Sequence, residues 1–199
     1  MKRFVLVLLL LLPLVAYTEK SSQSARVAMQ TALGTIEVEL YPEKAPVTVA
    51  NFLQLVDGGY LEGGAFYRTV SPDNDNGSPP IAVVQGGIGD AESPLPPIAH
   101  ESTAATGLQH LDGSISMARG AVGTASTEFF ICIGDQPALD SGATRNPDGE
   151  GFAAFGRVVS GMDVVHAIHQ APADAPTEIA YFQNQLINEP VTIISLRRL

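Results

Sequence analysis

Four short runs decide the fold: Phe66-Tyr67-Arg68-Thr69-Val70, Ile81-Ala82-Val83-Val84-Gln85, Gly113-Ser114-Ile115-Ser116-Met117 and Glu128-Phe129-Phe130-Ile131-Cys132-Ile133. Each is five or six residues long, rich in β-branched, aromatic or other apolar side chains. Runs of that length bounded by Gly and Pro predict strands, because a helix needs a longer periodic stretch. The segments between them are loops. Those at 71–80 and 88–99 are long, and Pro79-Pro80 and Pro94-Leu95-Pro96-Pro97 stiffen them.

Working outward, Val27–Thr31 and Thr35–Leu40 alternate apolar and polar residues around Ala32-Leu33-Gly34, which predicts a hairpin. A helix follows, with Pro46 in its first turn, Val49, Phe52, Leu53 and Val56 at helical period, and Gly58-Gly59 as its stop. After a Gly- and Asp-rich loop at 140–150 come a strand over Phe152–Val159, a second helix over Met162–His169 and a last strand over Val191–Arg197. Many short strands with only two helices predict a closed or sandwiched all-β architecture in one domain spanning 26–199.

The first 25 residues read differently. Lys2-Arg3 precedes an apolar run from Phe4 to Ala16 and a polar stretch to Ser24, the layout of a secretory signal followed by a short linker. The run is shorter than the ~20 residues of a spanning helix. Ala16 and Ala25 both meet the small-residue requirement of a cleavage site, and neither completes it. The expectation is an exported protein, periplasmic or secreted, with membrane contact only if the segment stays uncleaved.

The net charge of −10, with no Lys- or Arg-rich stretch, excludes a nucleic-acid footprint. Cys132 is the single cysteine and sits among apolar residues, so it reads as a buried, inert thiol. The chain carries no nucleophile elbow, P-loop or dinucleotide fingerprint. His100-Glu101 opens like a zinc-protease helix, but position 104 is Ala where a second His is required. His166 and His169 share a helix face without a third ligand nearby, so no metal is expected.

The segments Phe66-Tyr67-Arg68, Val83-Val84-Gln85-Gly86-Gly87, Ser114-Ile115-Ser116-Met117-Ala118, Glu128-Phe129-Phe130-Ile131 and Gly151-Phe152-Ala153-Ala154-Phe155-Gly156 stand in an order that closely resembles the cyclophilins. Each motif is weak alone; five in register, over about Val27 to Leu196, are specific. The resemblance implies a closed, eight-stranded antiparallel barrel with two capping helices and peptidyl-prolyl cis/trans isomerase activity. It also implies roles. Arg68 matches the catalytic arginine, and Gln85 matches a glutamine on the neighbouring strand that holds the peptide and counts with Arg68 as catalytic. Val83, Phe130 and Leu139 match the proline pocket. Ala118 and Arg119 match the pair whose main chain holds the peptide, and Glu128 stands where a glutamine is common. Phe152 replaces a histidine that borders the proline. Ala82 replaces a pocket phenylalanine, and Ala138 the tryptophan associated with cyclosporin binding. The partners implied are proline-containing polypeptides, unfolded or in exposed loops. No cofactor is implied, and nothing in the chain calls for a dimer. The rival expectation is a cyclophilin-like binding module or holdase with little turnover, motivated by Ala82 and Phe152.

Overall fold

The structure is a computed structural model that describes residues 25–199; the expected signal segment lies outside the described residues. Eight strands form the sheet: β1 (Ala25–Thr31), β2 (Gly34–Leu40), β3 (Ala65–Val70), β4 (Val83–Gly87), β5 (Ser114–Met117), β6 (Phe129–Cys132), β7 (Ala153–Ser160) and β8 (Leu186–Arg198). They close in the order β1-β2-β7-β5-β6-β4-β3-β8, every pair antiparallel. The expected barrel is there. Closure leaves no free edge for another chain to pair with.

Three helices accompany it: α1 (Pro46–Asp57), the single turn α2 (Thr103–Thr106) and α3 (Met162–His169). The α1 periodicity buries Val49, Phe52, Leu55 and Val56 against the barrel, while Leu53 is only partly covered. Ala45 gives this helix no side-chain cap. Glu101 supplies one from a distance: its carboxylate accepts the N–H groups of Val47 and Thr48 at 3.1 and 2.8 Å. A carboxylate there satisfies orphan donors and opposes the positive end of the helix dipole. That is the part played by the residue whose sequence suggested a zinc helix. Among the described residues no helix is long and apolar enough to cross a membrane.

Strand boundaries differ from expectation in several places, and two of the differences bear on the site. β4 starts at Val83, not Ile81, because Pro79-Pro80 delivers Ile81 and Ala82 as irregular chain. β8 starts at Leu186, not Val191. Phe66 pairs with Val191 and Arg68 with Leu186, so residues 187–190 bulge opposite Tyr67 and Pro190 needs no ladder hydrogen bond there.

The main core fills the barrel. Phe129, fully buried, meets Phe52 at 5.7 Å and Phe66 at 5.6 Å between ring centroids, both edge-on. Its neighbour Phe130 points to the other face and joins a second cluster with Val70, Ile81, Val83, Cys132 and Leu139. That second cluster is the floor of the site.

Candidate active site

A cavity of about 360 Å³ opens on the outer face of β3, β4 and β6. Strand period puts Val83 and Gln85 on its wall together with Ile81, while Phe130 and Leu139 form its floor and Phe152 its side. Phe152 meets Phe130 edge-on at 5.3 Å. Ala82, which stands in place of a pocket phenylalanine, does not line the cavity: Ile81 does, and the Ala82 N–H donates to Gln136 Oε1 at 3.1 Å. Ala138 packs partly buried on the floor cluster without lining the cavity.

Beneath Phe130 lies an arrangement the sequence did not announce. His110, buried, stacks on the Phe130 ring at 5.8 Å; its Nδ1 lies 2.7 Å from Asp140 Oδ1 and its Nε2 3.0 Å from Ser116 Oγ. The residue types are those of a hydrolytic triad, but Ser116 is fully buried and no substrate reaches it. The trio holds the pocket floor.

Three arginines meet at the cavity, and their partners differ. Arg119 donates to Asp148 at 2.8 and 2.9 Å and to the Gly151 carbonyl, and its guanidinium lies over the Phe152 ring at 5.4 Å. Arg145 grips Asp75 with two bonds of 2.6 and 2.8 Å and also donates to the Pro79 carbonyl and the Tyr181 hydroxyl. Burial alone would raise the Asp75 carboxyl; Arg145 and the N–H groups of Gly77 and Ile81 outweigh it and hold it below its ordinary value. Among the described residues, Arg68 has no carboxylate as a hydrogen-bond partner. Its Nε and Nη2 donate to Gln185 Oε1 at 3.0 and 2.6 Å, and its Nη1 to Gln85 Oε1 at 2.8 Å. Only three of its five N–H groups are used in these bonds. It is 7% exposed, and burial lowers its pKa, though a guanidinium stays charged at any working pH. Phe182 and Tyr181 cover it, at 4.8 and 5.2 Å from ring centroid to guanidinium carbon.

The sequence expectation thus divides. Arg68, Gln85, Val83, Phe130, Leu139, Phe152, Ala118 and Arg119 come together at one cavity. Glu128 does not: it lines a smaller hollow beside it, with Gln85, Ala118 and Arg119. Its carboxylate is tied to Tyr67 Oη and to the N–H groups of Ile88 and Gly89. Arg119 was expected to act through its main chain, yet its side chain pins the loop after residue 140 to the pocket wall. Arg145, Tyr181, Phe182 and Gln185 were missed. The one signal was the adjacent pair Tyr181-Phe182 in a stretch otherwise poor in large apolar residues.

The closed antiparallel barrel thus carries a hollow with Val83, Phe130, Leu139 and Phe152 on its walls beside a buried guanidinium held by amides. Comparison with known proteins gives that arrangement its family. A family model described as cyclophilin type peptidyl-prolyl cis-trans isomerase/CLD matches residues 26–198. A peptidyl-prolyl cis-trans isomerase of Acinetobacter baylyi is 34% identical over 176 residues, covering 86% of this chain and 84% of that protein. Peptidyl-prolyl cis-trans isomerase A of Dickeya dadantii is 32% identical, covering 98% of this chain and 97% of that protein. A cyclophilin type isomerase of Cryptosporidium parvum, crystallised in the presence of the dipeptide Ala-Pro, shares the fold, with a TM-score of 0.66, 20% identity, and coverage of 87% of this chain and 97% of that one. The chain belongs to the cyclophilin type peptidyl-prolyl cis-trans isomerases, and its reaction is rotation about X–Pro bonds.

Proposed function

We propose that Arg68 is the catalytic residue, that Gln85 holds it in place, and that the chain works on exported polypeptides as they fold. The single observation behind the catalytic reading is the buried Arg68 guanidinium facing an apolar cavity with amide oxygens, not carboxylates, as partners.

The barrier to rotation is about 18–20 kcal/mol, because resonance gives the C–N bond double-bond character. As the bond twists, conjugation is lost and the prolyl nitrogen gains a localised lone pair. A donor fixed at that nitrogen bonds more strongly to the twisted state than to the planar one, and only such differential binding speeds rotation. An Arg68 salt-bridged like Arg145 would have its charge spent. Bound to neutral amides and desolvated, it keeps its charge for the twisted amide, and one such donor is worth about 3–4 kcal/mol. Val83, Phe130, Leu139 and Phe152 seat the proline ring. The Ala118 N–H already donates to the Glu128 carbonyl at 2.8 Å, which leaves the Ala118 carbonyl and the Arg119 N–H to the peptide main chain.

A protease-coupled assay on a short X-Pro peptide tests the role of Arg68: Arg68→Ala should lose most of kcat/KM with peptide affinity nearly unchanged. Wild-type turnover in that variant would end the reading. Export rests on Lys2-Arg3 and the apolar run Phe4–Ala16. Its check is intact mass of the native protein by fraction, and a chain starting at Met1 in the cytosol would contradict it.

A further inference from the structure

Glu128 lies off the cavity, yet a single file of hydrogen bonds joins it to Arg68. Glu128 Oε1 accepts the N–H groups of Ile88 and Gly89 at 2.9 and 3.1 Å, with the Thr127 hydroxyl at 3.4 Å. Glu128 Oε2 accepts the Tyr67 hydroxyl at 2.6 Å. Tyr67 Oη accepts Gln85 Nε2–H at 2.7 Å, and Gln85 Oε1 accepts Arg68 Nη1–H at 2.8 Å.

Each link in this file has a direction. An ionised carboxylate only accepts, and a phenol has one proton. Burial and the nearby Glu128 charge push the Tyr67 pKa well above its ordinary value, so the phenol keeps that proton. With the proton given to Glu128, Tyr67 can show Gln85 only lone pairs. Gln85 must then turn its NH2 to Tyr67 and its carbonyl to Arg68. The two ends of an amide are almost the same size, so packing alone does not choose between them. The opposite choice sets NH2 against guanidinium, donor against donor, at the group that must stay fixed.

We infer that Glu128 is a positioning residue for the isomerase reaction, its carboxylate fixing through Tyr67 which end of Gln85 faces Arg68. This rests on Arg68 being the donor to the prolyl nitrogen. The other work Glu128 does, anchoring the chain at Ile88 and Gly89, is separable from it. Gly87 makes room for that anchor, since a Cβ there would collide with the carboxylate.

Glu128→Gln separates the two. The new amide keeps one oxygen for Ile88 and Gly89, so its NH2 faces Tyr67 and donates to it. Tyr67 must then donate to Gln85, and the whole file reverses. Tyr67→Phe acts otherwise, cutting the file without reversing it, so Arg68 itself still favours the Gln85 oxygen.

The experiment measures kcat and KM on an X-Pro peptide for the whole protein, for each single variant, for their combination and for Arg68→Ala. Glu128→Gln should lower kcat roughly tenfold, the worth of a reversed hydrogen bond to a charged group, with KM changed less than about twofold. Tyr67→Phe should cost less than about threefold, and on that background Glu128→Gln should add less than about twofold. Equal losses on both backgrounds, or a loss confined to KM, would overturn the inference in favour of a direct peptide contact or a plain anchor. Should Glu128→Gln fail to fold, the Tyr67→Phe arm decides: a tenfold loss there overturns the inference, because a middle link cut without reversal cannot cost that much. Arg68→Ala with full activity would instead defeat the catalytic reading on which the inference stands.

Discussion

The two sides of the cavity are built on different physics. One wall is barrel: Arg68 on β3, Val83 and Gln85 on β4 and Phe130 on β6, positioned by sheet register, with Arg68 facing Gln85 and Gln85 facing Phe130 across adjacent pairs. The other is loop: residues 71–80, 140–151 and 180–185, with Arg119 bound to the second of them, positioned by side chains. Asp75–Arg145 ties the first of these loops to the second. Asn76 Nδ2 donates to the Tyr181 and Gln183 carbonyls at 3.1 and 2.8 Å, and Gln185 Nε2 to the Asn74 carbonyl at 2.8 Å, tying the first to the third. The arginines show the contrast most sharply. On the loop wall, Arg119 and Arg145 face carboxylates and serve cohesion. On the barrel wall Arg68 faces amides, which restrain it without neutralising it.

The largest effect should come from exchanging these two kinds of arginine. Arg68→Ala is expected to raise the activation barrier by about 3–4 kcal/mol, a loss of two to three powers of ten in kcat/KM. Thermal stability should hardly move, because a desolvated cation without a counter-charge contributes little to folding. Arg145→Ala should invert the pattern, with a clear drop in Tm and a modest rise in KM. Kinetics and melting on the same two samples decide it. Parallel losses in both assays would erase the distinction between the walls.

Next in size is the ion pair itself. Both side chains are almost fully covered, at 0% exposure for Asp75 and 4% for Arg145. Asp75→Asn leaves the Arg145 charge buried and unpaired, so about 3 kcal/mol of stability should be lost near neutral pH. The sign with pH follows from the depressed Asp75 pKa. The stabilisation is complete above the ordinary carboxylate value and fades as pH falls through that value to Asp75's own lower one. Wild type and variant should therefore converge in acid. A gap that stays constant down to strongly acid pH would assign the loss to shape, not charge.

The same division governs what the sequence could tell. Barrel residues were legible because strands alternate and their motifs run in order. Phe129 went inward and Phe130 outward as the register required, and Arg68, Gln85 and Val83 met where expected. Loop residues carry no period. Gln185, which takes two of the hydrogen bonds from Arg68, lies 117 positions away from it in the chain, and nothing local marks it. Ile81 went unread: the irregular chain after Pro80 lets it line the cavity, where Ala82 does not. The last strand was read only from Val191, the residue after Pro190, and only the pairing with β3 reveals the bulge that accommodates that proline.

The smallest effect belongs to the place where the walls touch. Tyr181 and Phe182 leave the loop side to lie on Arg68, and only Tyr181 also brings a hydroxyl. The Tyr181 hydroxyl accepts from Arg145 at 2.9 Å, whereas Phe182 offers Arg68 only its ring, the closer of the two at 4.8 Å. A guanidinium on an aromatic face gains about 1–2 kcal/mol by attraction to the ring quadrupole, and the Tyr181 ring still covers Arg68 when Phe182 is replaced, so the lower figure applies. Phe182→Leu preserves bulk and removes that face, so kcat/KM should fall roughly fivefold while Tm stays nearly constant. Tyr181→Phe keeps a ring over Arg68 and removes an acceptor from Arg145. It should leave kcat/KM within about twofold and lower stability by about 1.5 kcal/mol, the worth of one hydrogen bond to a charged group. If the kinetic loss fell on Tyr181→Phe instead, its hydroxyl and not the Phe182 ring would be what steadies Arg68. The loop wall would then act on the reaction through a hydrogen bond, and the separation between a wall that reacts and a wall that coheres would have to be redrawn at residue 181.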